Sequence, residues 1–71
     1  MNTIKKKRSK KGLTQYQLAV LMGLSTATIS YYERGVKRPS LHNAFKLARV
    51  LDTSIEDIFP LDAVIHEKEA N

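Results

Sequence analysis

The sequence predicts an all-α domain of five helices followed by a short C-terminal tail. Apolar residues recur at helical spacing through most of the chain, and Gly, Pro or capping Ser and Thr residues bound five such segments. No alternation of Val, Ile and Thr long enough for a strand occurs before the tail. We therefore expect one compact domain over residues 1–60 and a tail over residues 61–71.

The composition limits how so small a domain is stabilised. The chain has 71 residues and no Cys, which excludes disulfides. Its two histidines, His42 and His66, lie far apart without Cys partners, so we expect no metal and no cofactor. A core of this size supplies about 3–5 kcal/mol of net stability, which leaves close helix packing or a dimer as the stabilising device.

The hydropathy of the chain bears on its location. No apolar run approaches the roughly 18 residues of a membrane span, and no signal-peptide core follows the basic N-terminus. We therefore expect a cytoplasmic protein without membrane association. No segment resembles a separate sensor domain, so no small-molecule ligand is expected either.

The first two helices are bounded by local signals. The first covers about residues 3–11, with Thr3 as its cap and Ile4 as its one clear apolar residue. The second begins at Thr14, where Thr14-x-x-Gln17 has the pattern of a capping box, and it ends at Gly23. We expect its buried stripe to consist of Leu18, Ala19, Leu21 and Met22.

The third helix is predicted over residues 25–34. Ser25 is a favourable N-cap, and Gly35 supplies the left-handed residue that often ends a helix. Ile29 and Tyr32 are three residues apart and should share the inner face. Pro39 then keeps the preceding connection from being helical.

The last two helices are capped by Ser40 and by Ser54, which belongs to a Ser54-x-x-Asp57 box. Asp52 stands between them where Gly is more usual, which predicts a left-handed Asp or a modified turn. Pro60 ends the fifth helix. The expected inner faces are Leu41, Ala44, Phe45, Leu47, Ala48 and Leu51 in the fourth helix, and Ile55, Ile58 and Phe59 in the fifth.

Charge divides the chain into two unlike parts. Residues 1–40 carry nine basic side chains and one acid, a net charge of +8, whereas residues 41–71 carry three basic and six acidic side chains, a net −3. The basic part suits a polyanion. A solvated lysine-rich terminus is the alternative that charge alone leaves open.

A specific pattern decides between these two readings. Gly23-Leu24-Ser25 joins the second and third helices by a short turn of the helix-turn-helix kind. The wider sequence resembles the phage repressor and Cro-like (Xre-type) helix-turn-helix family over about residues 4–59. The matching motifs are Leu13-Thr14-Gln15, Leu18-Ala19, Gly23-Leu24-Ser25, Ile29-Ser30, Glu33-Arg34-Gly35, Pro39-Ser40-Leu41, Leu47-Ala48, Ser54-Ile55 and Asp57-Ile58-Phe59.

The resemblance implies a lambda-repressor-like DNA-binding domain and a sequence-specific transcriptional regulator of double-stranded DNA, a repressor without catalytic activity. Its third helix would enter the major groove. The implied base-contacting residues are Thr26, Ala27, Ser30 and Tyr31. No Arg, Lys, Asn or Gln lies on the first two turns, so we expect specificity from methyl contacts, Tyr31 and DNA shape. Tyr31 could instead only cover the core.

The resemblance also implies scaffold and backbone-contacting roles. The implied phosphate contacts are Gln15, Ser25, Arg34, Lys37 and Arg38. Gln15 is expected to be exposed, and simple solvation is the alternative for it. Arg8 and Glu33 match a partly buried ion pair of some family members. The implied core positions are Leu18, Ala19, Leu24, Ile29, Leu41, Leu47, Leu51 and Ile58.

Other functional classes are weighed against this one. Asp52, Glu56 and Asp57 lie on a short segment around which no catalytic cleft can be assembled. The aromatic platforms that bind single-stranded RNA are absent. The serious alternative is an antitoxin-like regulator whose main task is binding a protein partner. A homodimer is also expected, through Ile55, Phe59, Leu61, Val64 and Ile65, although the last three could instead fold back on the monomer's core.

Overall fold

The computed structural model describes residues 2–59, which form five helices with no strand among them. In chain order the helices are α1 (Ile4–Lys10), α2 (Gln15–Met22), α3 (Thr26–Arg34), α4 (Leu41–Val50) and α5 (Ile55–Ile58). The predicted all-α class is confirmed. None of these helices is both long and apolar enough to cross a membrane.

Side-chain caps begin α2, α3, α4 and α5, as the sequence predicts. The capping oxygens belong to Thr14, Ser25, Ser40 and Ser54, and each accepts a hydrogen bond from the backbone N–H three residues later. The Thr14 cap is a full capping box, because Gln17 Oε1 also accepts from the Thr14 N–H at 2.8 Å.

The start of α1 is held by tertiary contacts, which corrects the predicted role of Thr3. Its side chain does not cap α1; its hydroxyl donates to the carbonyl of Asp57 at 2.5 Å. The Thr3 N–H donates to the carbonyl of Ile58 at 3.0 Å. Asn2 Oδ1 instead accepts from the Ile4 N–H at 3.1 Å. The two bonds of Thr3 thus connect the start of α1 to α5.

Left-handed residues end the helices where the sequence predicts them. Gly23 and Gly35 follow α2 and α3 with φ of 69° and 72°. Asp52 has φ of 55° and is the one non-glycine residue with positive φ among the described residues. Asp tolerates this conformation better than most side chains because its short polar group can bond locally.

The core lies where the helices meet. Helix α2 packs against α3 and α4, α4 packs against α5, and α1 packs against α3. Leu13, Leu24, Ile55 and Phe59 pack against the core while half-buried. Each buried side-chain nitrogen and oxygen of the described residues has a hydrogen-bond partner. The buried cluster consists of Ile4, Leu18, Ala19, Met22, Ile29, Tyr32, Leu47, Ala48, Leu51 and Ile58.

Three predicted core residues are exposed, so those predictions are wrong. Leu21, Leu41 and Phe45 have exposed fractions of 53%, 70% and 57%. Both helices carry apolar residues on more of their circumference than the core can cover, so spacing alone does not select the buried side. The buried side of α2 contains Leu18 and Met22, and the buried side of α4 contains Leu47 and Leu51. The three wrongly assigned residues lie at the edge of these buried sides or outside them.

Candidate nucleic-acid interface

The turn between α2 and α3 sets the direction of α3. Gly23 ends α2 in the left-handed conformation, and the Leu24 N–H returns to the carbonyl of Ala19 at 2.9 Å. Ser25 then caps α3, with its Oγ accepting from the Thr28 N–H at 3.0 Å. The two helices are therefore separated by three residues and form a helix-turn-helix unit.

Helix α3 has a buried side and an exposed side. Ile29 and Tyr32 face the core with exposed fractions of 0% and 5%, as predicted. The predicted reading face is Thr26, Ala27, Ser30 and Tyr31, and it points away from the core. Thr26, Ala27 and Tyr31 are exposed and Ser30 is half-buried. This face offers hydroxyl groups, methyl groups and one aromatic ring to a ligand.

Arg34 lies against the reading face. Its Nε donates to Ser30 Oγ at 3.3 Å, and its guanidinium carbon lies 5.4 Å from the centroid of the Tyr31 ring. A guanidinium group over an aromatic face is attracted by the ring quadrupole. Because helical side chains lean toward the N-terminus, the last residue of α3 can reach back by one turn. Sequence reasoning missed this contact, although the i, i+4 spacing of Ser30 and Arg34 is visible.

The predicted ion pair between Arg8 and Glu33 is present in the structure. Arg8 Nε and Nη2 donate to the two oxygens of Glu33 at 2.5 and 3.2 Å, and Nη1 donates to the carbonyl of Leu13 at 2.8 Å. The side chains of Arg8 and Glu33 are only 12% and 3% exposed. A two-point pair of this kind fixes orientation as well as distance. It joins α1 to the end of α3.

Gln15 belongs to the same network, which sequence reasoning missed. Its Nε2 donates to Glu33 Oε1 at 2.9 Å, and the residue is half-buried, not exposed as expected. Glu33 therefore receives donors from α1 and from the first residue of α2. No local pattern could reveal this contact, because 18 residues separate the two partners.

The loop after α3 begins with a tight backbone arrangement. The N–H groups of Val36 and Lys37 both donate to the carbonyl of Tyr31, at 2.9 and 3.3 Å. The side chains of Lys37 and Arg38 are exposed beyond the end of α3. Two of the three cations predicted to contact phosphates, Lys37 and Arg38, thus lie in the loop that directly follows α3.

Comparisons with known proteins agree with this geometry. A helix-turn-helix family model matches residues 4–58. An uncharacterized HTH-type transcriptional regulator of Archaeoglobus fulgidus is 44% identical over 59 residues, which are 83% of this chain and 84% of that protein. The chain belongs to the helix-turn-helix family of transcriptional regulators. The predicted family is thus confirmed.

Solved structures resemble this helix-turn-helix regulator as well. One is the crystal structure of SinR, the master regulator for biofilm formation, in complex with DNA, with a TM-score of 0.68 and 33% identity over 75% of this chain and 86% of that chain. Another is the complex of the SinR and SinI proteins, with a TM-score of 0.73 and 28% identity. That match covers 87% of this chain and 61% of the other.

The residues predicted for the dimer or partner contact fall into two groups in this regulator. Ile55 and Phe59 are half-buried and pack against the chain's own core, so only part of each side chain is available to another molecule. Leu61, Val64 and Ile65 lie outside the described residues. The predicted use of these five side chains in assembly stays a prediction.

An exposed apolar surface on this helix-turn-helix regulator was not predicted. We call it the outer face of α2 and define it by Leu13, Tyr16, Gln17, Val20 and Leu21. Tyr16, Val20 and Leu21 are 67%, 61% and 53% exposed, and none of the five residues is charged. Tyr16 and Val20 lie on the side of α2 away from the buried Leu18, and Leu21 lies at the margin of the buried side. The signal in the sequence is an α2 that is apolar on almost every side.

Proposed function

We propose that this chain is a sequence-specific transcriptional regulator of double-stranded DNA, acting as a repressor, with α3 in the major groove. One observation carries the proposal: the exposed side of α3 presents Thr26, Ala27, Ser30 and Tyr31, while Ile29 and Tyr32 fix its other side to the core. A helix held in this way presents a rigid row of side chains to base edges. The complex of the related SinR with DNA supports the same assignment.

The reading face favours methyl contacts and single hydrogen bonds over two-point hydrogen bonds to one base. The Thr26 and Ala27 methyl groups are suited to thymine methyls, and the hydroxyls of Ser30 and Tyr31 can donate or accept. Much of the affinity then comes from the DNA backbone and from DNA shape. The cations of the basic part of the chain attract the duplex before contact is made.

Backbone contacts are assigned to Gln15, Ser25, Lys37 and Arg38. Gln15 uses one N–H for Glu33, and its amide keeps a second N–H for a phosphate. Ser25 Oγ caps α3 and shares a hydrogen bond with Thr28 Oγ1 at 2.8 Å. With Thr28 as the donor in that bond, the Ser25 O–H donates to a phosphate at the start of the helix. Lys37 and Arg38 are exposed in the loop after α3.

Selection of bound duplexes from a random pool tests the function directly. We expect one enriched half-site, and two copies about 34 Å apart if the protein binds as a dimer. Tyr31→Ala should then weaken binding to the selected site more than binding to random duplex. Tyr31→Phe keeps the ring and removes the hydroxyl, so comparing the two variants shows how much of the affinity each group supplies. Failure to enrich any sequence would contradict sequence-specific binding.

The salt dependence of binding tests the backbone contacts. Lys37→Gln and Arg38→Gln should each reduce the slope of log K against log salt by about one unit, because each phosphate contact releases counterions. Arg49→Gln is a matched control, since Arg49 is an exposed cation of α4, outside α3 and the loop that follows it. An unchanged slope in either loop variant would place that residue outside the interface.

We propose a homodimer assembled through the acidic part of the chain, with residues 1–60 as the DNA-binding domain and residues 61–71 as the assembly segment. The basic part must face DNA, which leaves the region of Ile55 and Phe59 for pairing. Sedimentation of the full chain and of a chain ending at Pro60 tests this. A dimer that survives the truncation would exclude Leu61, Val64 and Ile65 as the assembly contact.

A second candidate function is a regulator whose main task is binding a protein partner. The outer face of α2 favours it, since an uncharged apolar helix face suits a protein surface better than it suits DNA. The complex of the related SinR with SinI gives this alternative a precedent. A repression reporter in cells, run beside duplex binding in vitro, separates the two. Val20→Ser should lower repression without lowering duplex affinity only if a partner is required.

We infer a cytoplasmic location and no catalytic activity of its own for this regulator. Regulation of transcription requires access to the chromosome, and the basic part of the chain is suited to a polyanion. His42 is exposed on α4. Among the described residues, no group of three His, Cys, Asp or Glu side chains is arranged to hold a metal ion.

A further inference from the structure

Arg34 makes two contacts that the sequence did not predict. As the last residue of α3, one turn beyond Ser30 and Tyr31, it was assigned to a phosphate contact. The guanidinium group lies instead over the Tyr31 ring at 5.4 Å and donates through Nε to Ser30 Oγ at 3.3 Å. It therefore shares the reading face with two of the residues assigned to base contacts.

The free end of this guanidinium group has the geometry of a base reader. Arg carries five N–H donors, and the bond to Ser30 uses only the one on Nε. The two Nη groups remain and form a planar fork. Such a fork matches the O6 and N7 acceptors of guanine in the major groove, which is the commonest specific contact of Arg with DNA.

The neighbouring acid does not compete for this fork. Glu33 has both carboxylate oxygens bound by Arg8, and Gln15 donates to one of them as well. Among the described residues, no carboxylate forms an ion pair with Arg34. The guanidinium group is thus held by Ser30 and Tyr31 in an exposed position, and less side-chain entropy is lost when it binds.

We propose that Arg34 determines specificity by donating both Nη groups to the O6 and N7 of one guanine in each half-site. The inference rests on the proposed binding of duplex DNA. It replaces the phosphate role of Arg34 and supplies the two-point base contact that the first two turns of α3 lack. Ser30 and Tyr31 act partly as positioning residues, because they hold the guanidinium group in place.

The test uses the full chain and the half-site that selection defines. Wild-type protein should prefer guanine at one position by about 10- to 100-fold over the other bases. Arg34→Lys keeps the charge but loses the fork, so it should lose most of this preference while the salt slope stays the same. Lys37→Gln is the control, and it should weaken binding to all sequences alike.

Modified bases sharpen the test. Replacing the guanine by 7-deazaguanine removes the N7 acceptor and should cost the wild-type protein about tenfold in affinity, but the Arg34→Lys variant much less. Inosine at the same position keeps O6 and N7 and loses only the minor-groove amino group, so it should leave wild-type affinity unchanged.

Two results would overturn the role of Arg34: a selected site without a required guanine, or an Arg34→Lys variant that keeps the full guanine preference. Both require that wild-type protein binds a selected site, so they leave the proposed function intact. Absence of any sequence-selective binding by the wild type is a different outcome, which rejects the proposed function and this inference together.

Discussion

Removing Arg8 alone is expected to unfold much of the domain. In Arg8→Met, the carboxylate of Glu33 would lose two donors and keep one hydrogen bond from Gln15, although its side chain is only 3% exposed. The carbonyl of Leu13 would lose a donor as well. Breaking a buried pair from one side costs about 3–5 kcal/mol. The total free energy of unfolding of a domain of this size is about the same, so the variant should be largely unfolded at 25 °C.

Replacing both partners should restore most of the lost stability. In the double variant Arg8→Met, Glu33→Leu no charge is left buried, and the amide of half-buried Gln15 can reach water. We expect it to lie within about 1–2 kcal/mol of the wild type, because an apolar pair of similar volume often substitutes for a buried ion pair. The coupling between the two sites should then be at least about 2 kcal/mol.

Urea unfolding followed by the helical circular dichroism signal measures these differences. Lys10→Met is the matched control, since Lys10 is exposed on the same helix and its loss should change stability by less than about 0.5 kcal/mol. The reasoning fails if Arg8→Met loses less than about 1 kcal/mol. It also fails if the separate effects of Arg8→Met and of Glu33→Leu simply add in the double variant.

Four further substitutions give three tests of the scaffold, each by the same urea measurement. Leu18→Ala should cost about 2–5 kcal/mol because Leu18 is fully buried, whereas Leu21→Ala should cost less than about 0.5 kcal/mol because Leu21 is half exposed; equal costs would contradict the observed burial. Ser25→Ala should cost about 1 kcal/mol through the lost cap of α3; no loss would mean that the cap is dispensable. Asp52→Gly should add about 0.5–1 kcal/mol by relieving a left-handed side chain; a loss would show that the exposed ion pair of Asp52 with Lys11, at 3.9 Å, is worth more than the strain.

Much of the fold could be predicted because short-range signals determine the helix ends. A hydroxyl at Ser25 and an amide three residues later are enough to begin α3, and a glycine at position 35 is enough to end it. Such signals act within one turn of helix, so a single sequence displays them fully. The same holds for the left-handed Asp52, which follows α4 where the chain must reverse.

The burial of individual apolar residues could not be predicted in the same way. Leu21 and Met22 are adjacent in α2 and similar in hydropathy, yet one is 53% exposed and the other 2% exposed. The difference arises because α3 and α4 cover only one side of α2. Where a helix is apolar on nearly every side, its periodicity contains no information on which side the partners occupy.

The candidate site also has a part that the sequence predicts and a part that it does not. The exposed row on α3 follows from the positions of Ile29 and Tyr32, which mark its opposite side, and it could be predicted. The direction of the Arg34 side chain and the bond from Gln15 to Glu33 could not, since each depends on which of several rotamers the surroundings favour. Long polar side chains are therefore where a contact assignment from sequence is weakest.

Glu33 and Arg34 show why these side-chain directions matter for binding. Glu33 is the only acid of residues 1–40, and it adjoins the reading face in sequence. A carboxylate exposed there would repel phosphates and attract the guanidinium group of Arg34. Because Arg8 and Gln15 bind its carboxylate and only 3% of the side chain is exposed, its charge is neutralised where it lies. The ion pair that anchors α1 to α3 thus also removes a negative charge from the surface that we propose to approach DNA, and it leaves Arg34 without a competing carboxylate beside it.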